Sequence, residues 1–212
     1  MPTKVPDGDP ERVFWTEVMV GEALSVAAFA RHALELESLG APRPLVARAR
    51  VAAEDELRHF GIARAELRRW GDPPRFDSGP LLPSLDRRAD FEAMVVELVE
   101  MGCVNESLSA HEACQLAARA EHPRMRQLWT SIAADETEHA ALAWEVLDWA
   151  LAVRPELAQL ARETFARLTP PTTTTVTDEL ATRGAVSAAE REAWAALAWH
   201  QVVEPMRRRL LG

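Results

Sequence analysis

Apolar positions recur along the chain at the three- and four-residue spacing of amphipathic helices, in four long runs and two shorter ones. The first run, from about Pro10 to Leu39, carries the stripe Trp15, Val18, Met19, Val26, Phe29, Ala33 and Leu36. Asp9 is a good N-cap before it, Pro10 suits the first helical position, and Gly40 is a C-terminal stop. After a short turn over Gly40 to Arg43, a second run opens at Pro44 and reaches about Trp70, with Leu45, Ala49, Ala52, Phe60, Ala63 and Leu67 on one face. A third spans about Ala89 to Ala120. The fourth begins at Pro123 and continues to about Val153 through Met125, Leu128, Trp129, Ile132, Ala140, Ala143 and Leu147. Short turns predict antiparallel neighbours, whereas Gly71 to Arg88, rich in Pro, Gly, Ser and Asp, reads as a long crossover between two hairpins. Past Pro155 the pattern predicts a shorter helix to about Leu168 and a Pro- and Thr-rich linker. A last helix runs to about Leu211, its start marked by the capping-box pair Ser187 and Glu190. The expected fold is all-α: a four-helix bundle over 1–153 with one long crossover. A C-terminal helical extension over 154–212 packs on it as part of the same domain, or meets another subunit.

The stripes are broken at regular places by polar residues. Asp55-Glu56-Leu57-Arg58-His59 and Asp135-Glu136-Thr137-Glu138-His139 repeat eighty positions apart, each in mid-helix. Glu and His three residues apart share a helix face, so each cassette aims an oxygen donor and an imidazole at one point, a metal-ligand geometry. Glu22 falls inside the first stripe, where an unpartnered carboxylate would cost several kcal/mol, a cost that a cation removes. Residues at one level of an antiparallel hairpin are equidistant from its turn. The midpoint of Glu22 and Glu56 is Leu39, beside Gly40, so the two carboxylates should meet.

The third run offers Glu97, Glu100, Glu106 and Glu112. At 100° per residue Glu106 shares a face with Val95, Val99, Gly102, Cys103, Ser109, Ala110, Ala113 and Ala117, while the other three point away. The midpoint of Glu106 and Glu136 is Glu121, at the next turn, so Glu106 is the fourth carboxylate. Its small neighbours suit either close helix packing or a cavity for oxygen or substrate. Glu54 falls to solvent, and Asp55 is a candidate partner for an imidazole N–H. Cys103 reads as inert core and His200 as a surface or packing residue.

The chain of 212 residues contains no Tyr, has two cysteines and a net charge of -9, with a pI near 5.2. The acidic balance argues against nucleic acid as a partner, apart from a local basic patch at Arg207 to Arg209. No uninterrupted apolar run approaches a membrane span and no signal-like segment opens the chain, so a cytoplasmic protein with reduced thiols is expected. Without a CxxC pair, no zinc ribbon or rubredoxin-type iron site is encoded.

At Glu22, Glu56 with His59, Glu106, and Glu136 with His139, the chain resembles the ferritin-like superfamily of dinuclear carboxylate proteins over roughly residues 10 to 153. Ferritins, bacterioferritins, rubrerythrins and di-iron oxygenases belong to it. The run from Glu100 to Ser107 also looks like the EGCVxET stretch of many bacterial ferritin-like domains, with Met101 inserted before the glycine. The resemblance implies two iron ions, or manganese or a mixed pair, bridged by Glu56 and Glu136. Glu22 and Glu106 would be terminal, with His59 and His139 one on each metal. It further implies an oxidase or oxygenase that uses dioxygen or peroxide on a small molecule, with an electron donor that the sequence does not name. The absence of Tyr removes a tyrosyl-radical role, and the long C-terminal region argues against a storage cage. Two other readings stand beside the enzyme: a non-enzymatic, iron-handling metal binder, and an interaction protein whose ligands are relics. The extra helix and the tryptophans at helix ends suit a homodimer.

Overall fold

The computed structural model describes residues 9–73, 89–168 and 180–212, and among them the chain is all helical. Helix α1 covers Pro10–Ser38, its start held by the Asp9 side chain accepting from the Glu11 N–H. Gly40 closes it with φ +77°, and the Ala41 N–H returns to the Leu36 carbonyl, so the chain reverses within four residues into α2, Arg43–Leu67. A single turn of 3₁₀ helix, Arg68–Trp70, extends α2 to the predicted end. The crossover expected over Gly71 to Arg88 lies almost wholly outside the described residues, as does the linker at 169–177.

The third predicted helix divides into three. Helix α3, Phe91–Glu97, passes into a π-helical segment, Leu98–Glu106, and then into α4, Ser107–Arg119. Helix α5, Pro123–Val153, is capped by His122 Nδ1 accepting from the Arg124 N–H, with Pro123 in its first turn. Beyond it lie α6, Leu157–Arg167, and α7, Ala188–Ala198, which opens on the expected capping box of Ser187 and Glu190. A second π segment, Trp199–Val203, leads into α8, Glu204–Leu211.

Helices α1 and α2 form one hairpin, and α4 with α5 the other; the π segment Leu98–Glu106 lies along α5, and α2 meets α5 across the hairpins. Helix α6 packs on α3, and α7 packs on α4, so the C-terminal helices lean on the second hairpin. The indole of Trp129 donates to the Gly184 carbonyl at 2.9 Å and ties the approach to α7 onto α5. Gly184 has φ +82°, and a Cβ there would meet the Met125 side chain, so this corner requires glycine.

Two separate apolar cores result. One gathers Leu36, Val46, Val99, Leu147 and Phe165, the other Met19, Leu67, Leu116, Trp129 and Trp194. Along each of the long helices the polar interruptions fall between the two. Glu22 lies between Met19 and Ala33, Glu56 and His59 between Ala49 and Ala63, Glu106 between Val104 and Ala113, and Glu136 and His139 between Ala133 and Leu142. The helices thus sandwich a charged layer between two dry ones.

The apolar residues of α1 do not form one clean stripe. Val20, Leu24 and Leu34 are exposed, and α1 is long and apolar enough by composition to cross a membrane, with a mean hydropathy of 1.4 over its most apolar window. Core helices meet the same measure, and α1 carries Glu22 and Arg31 in its middle.

Candidate metal centre

All six residues singled out by pattern converge in the charged layer. Glu56, His59, Glu106, Glu136 and His139 are buried, Glu56 to 1 % exposure, and Glu22 is half-buried. They form two overlapping sets: Glu22, Glu56, His59 and Glu136 in one, Glu56, Glu106, Glu136 and His139 in the other, with all donor atoms of a set within 4.8 Å of one another. Glu56 and Glu136 belong to both. His59 Nδ1 lies 3.1 Å from Glu136 Oε1, and His139 Nδ1 lies 3.2 Å from Glu56 Oε1, so each imidazole faces the carboxylate of the other cassette. Neither Nδ1 makes a hydrogen bond, nor does Glu56 Oε2. Buried polar atoms without a hydrogen-bond partner are costly, and these three, spread over the two overlapping sets, fit a cation among them. These buried Glu and His groups could hold a metal ion.

The other ring nitrogens are held from behind, also across the hairpins. His59 Nε2 lies 3.1 Å from Asp135 Oδ2, and His139 Nε2 lies 3.5 Å from Asp55 Oδ2. Arg58 joins the two aspartates, at 2.7 Å from Asp55 and 3.0 Å from Asp135. Asp55 therefore does meet an imidazole, that of His139. Asp135 and Arg58 lie outside the six pattern-derived residues, and the identical Asp that opens each cassette is the sequence signal for the first of them.

Burial and mutual charge set the protonation of the layer. Burial pushes the Glu22 carboxyl up to about 9, against the opposing pull of the nearby His59 imidazole, and it pushes Glu106 well above the carboxylate range, with Glu136 and Glu56 adding to it. Burial opposes charge on His59 too, but the carboxylates of Glu136, Glu22 and Glu56 overcome it and raise the imidazole to about 12. His139 is raised likewise through Glu56 and Glu136. Burial raises Glu56, but the imidazoles of His139 and His59 close beside it outweigh burial and hold it below its usual range. Without a metal the layer thus keeps four protons, which make Glu22 and Glu106 neutral acids and both imidazoles cations.

No protein-family profile, curated protein or solved structure matches the chain. What it does therefore rests on the geometry of this layer and its surroundings.

The π segment changes what α4 presents. Its wider turns break the 100° advance that pointed Glu97 and Glu112 away from the site. Glu112 instead borders an acidic cavity of about 350 Å³ that reaches Glu22, Glu56, Glu106 and Glu136. Arg191 of α7 stands there, 2.9 Å from Glu112 and 3.1 Å from Glu17. Glu97 borders a second cavity and pairs with Arg31. The small residues beside Glu106 do both things. A Cβ on Gly102 would stand 2.8 Å from that of Ala143, so glycine here permits close packing on α5, while Gly102 also borders one cavity and Ser109 and Ala113 the other. Cys103 is fully buried in the core, burial raising its thiol pKa, and both cysteines are free. Glu54 and His200 are exposed.

Proposed function

We propose that Glu22, Glu56, His59, Glu106, Glu136 and His139 hold two metal ions, iron or manganese, within a ferritin-like four-helix bundle. On this reading the protein is an oxidoreductase that uses dioxygen or peroxide to oxidise a small organic molecule. The observation that carries the reading is the partition of the six residues. Two sets of four share Glu56 and Glu136, and each is completed by one further carboxylate and one imidazole. That is the arrangement two cations need if two carboxylates bridge them, with Glu22 and His59 on one side and Glu106 and His139 on the other. Carboxylate and imidazole donors suit iron and manganese, and no soft thiolate intrudes, since Cys103 belongs to the core. When bound, such a pair supplies redox chemistry with dioxygen or peroxide.

The chain's own residues have distinct tasks. Asp135 and Asp55 accept from the Nε2–H groups of His59 and His139, which fixes the tautomer that leaves each Nδ1 free to ligate. The two apolar cores keep bulk water from the layer on either side. Four protons on Glu22, Glu106, His59 and His139 match the charge of two divalent cations, so metal uptake releases protons and strengthens as pH rises. Ferrous-loaded protein is expected to consume dioxygen and Glu56→Ala to lose that activity; equal uptake by the variant contradicts the enzyme.

The acidic cavity lined by Glu17, Glu22 and Glu112 favours a second reading, an iron-handling protein that admits cations without turning over an organic substrate. Aerobic loading with many irons per chain would select it.

A further inference from the structure

Helix α1 packs closely on α2 but stands off from Leu98–Glu106 and from α4, and the gap holds two cavities that both reach Glu106. They differ in chemistry. The first is the acidic one closed by Arg191. The second, of about 330 Å³, is walled by Leu24, Phe29, Met94, Leu98, Met101 and Leu142. Its inner end is Glu106 and Phe29, whose ring lies 5.0 Å from that of His139. Leu142 and Ala143 follow His139 by one turn of α5, so this cavity abuts the set that contains Glu106 and His139 rather than the one that contains Glu22.

Leu24 of α1 and Met101 of the π segment line it and stand 48 % and 51 % exposed, apolar lips at its solvent edge. Met is unbranched and adaptable, which suits an apolar edge that contacts a ligand. The charged groups inside are engaged with one another: Arg31 pairs with Glu97 and with Glu35. Two carboxylates, Glu35 and Glu97, share that one guanidinium, so the lining is biased towards negative charge, which repels an anion. A cation would have to give up its hydration against the apolar wall.

We propose that this cavity is the substrate chamber, and that its ligand is an uncharged, largely apolar organic molecule of roughly ten non-hydrogen atoms, from the ~30 Å³ that each water-sized unit takes. It would pass between Leu24 and Met101 and bring its inner end beside Glu106 and His139. The role as substrate chamber rests on the dimetal reading above, whereas the ligand class rests on the cavity alone.

The test titrates the full-length chain, metal-free and manganese-loaded, with 1-octanol, octanoate and octylammonium by calorimetry. These probes share a chain and differ in charge. One saturable octanol site is expected, with a negative heat-capacity change. Both charged probes should bind roughly tenfold more weakly or worse. Ala28→Phe, which fills the chamber from α1, should weaken octanol by roughly tenfold, and Glu112→Gln in the acidic cavity should leave it unchanged. Met101→Glu, at an exposed lip, should weaken octanol too, and it keeps the test decisive if Ala28→Phe does not fold. Octanoate binding as tightly as octanol, indifference to both chamber variants, or no saturable site would overturn the proposal. Octanol binding without manganese binding would fail the dimetal reading and uphold the ligand class.

Discussion

Asp135 stands next to Glu136 in sequence, yet the imidazole it holds is that of His59 on the other hairpin, and Asp55 reaches His139 in the same crossed way. Each cassette therefore lends its Glu to the shared centre and its Asp to its partner's His. Asp135→Asn keeps the shape but can offer an N–H where an acceptor is needed, so it should lower metal affinity by roughly ten- to a hundredfold. Competitive titration with a chelator checks this; wild-type affinity would mean that the aspartate does not set the ring. His32 makes a separate case, outside the charged layer. Burial first, and the charge of Arg31 second, push it down from 6.5 to about 4, so it stays neutral in the fold while the unfolded chain protonates it near 6.5. A lowered histidine gives stability that is present above pH 6.5 and lost as pH falls towards 4. The loss is about 3 kcal/mol from a shift of this size. Relative to His32→Gln, the wild type should lose that much between pH 7 and 4 in urea denaturation, and parallel profiles would refute it.

At the scale of elements, the π segment Leu98–Glu106 decides how the second hairpin meets the first. Gly102 lies in it, four residues before Glu106, with Ala143 against it and His139 one turn away on α5. In an open helix Gly→Ala would stabilise by about 1 kcal/mol. Here the added methyl meets a Cβ fixed to a backbone, so Gly102→Ala should instead destabilise by about 1–3 kcal/mol. A thermal midpoint at or above the wild type would show that α5 yields freely. The four long helices, their caps and their turns were legible in the sequence because Asp9, Pro10, Gly40, Pro123 and the Ser187–Glu190 pair each act locally. The π segment was not, since no residue type encodes a wider turn and the widening depends on what packs alongside. Its effect was to bring Glu112 to a cavity that a uniform 100° advance had turned it away from. Nor did the pattern reveal Arg191, which reaches the acidic cavity from a helix some eighty residues further along the chain. The six convergent residues were legible for a plain reason: each breaks an apolar stripe, and the hairpin turns put them at one level.

Over the whole molecule, the design is a charged layer held between two apolar cores, with α1 set off from α4 so that the layer stays reachable. Two approaches of opposite character meet at Glu106, one acidic and one apolar. Such a layer is expensive to keep dry and uncompensated, and the protons held on Glu22, Glu106 and the two imidazoles offset part of its charge. The most direct measurement is metal content per chain in purified protein, beside Glu56→Ala/Glu136→Ala. About two iron or manganese ions per chain, absent from the double variant, are predicted. No bound metal in the wild type, even after anaerobic reconstitution with ferrous iron, would contradict a dimetal centre.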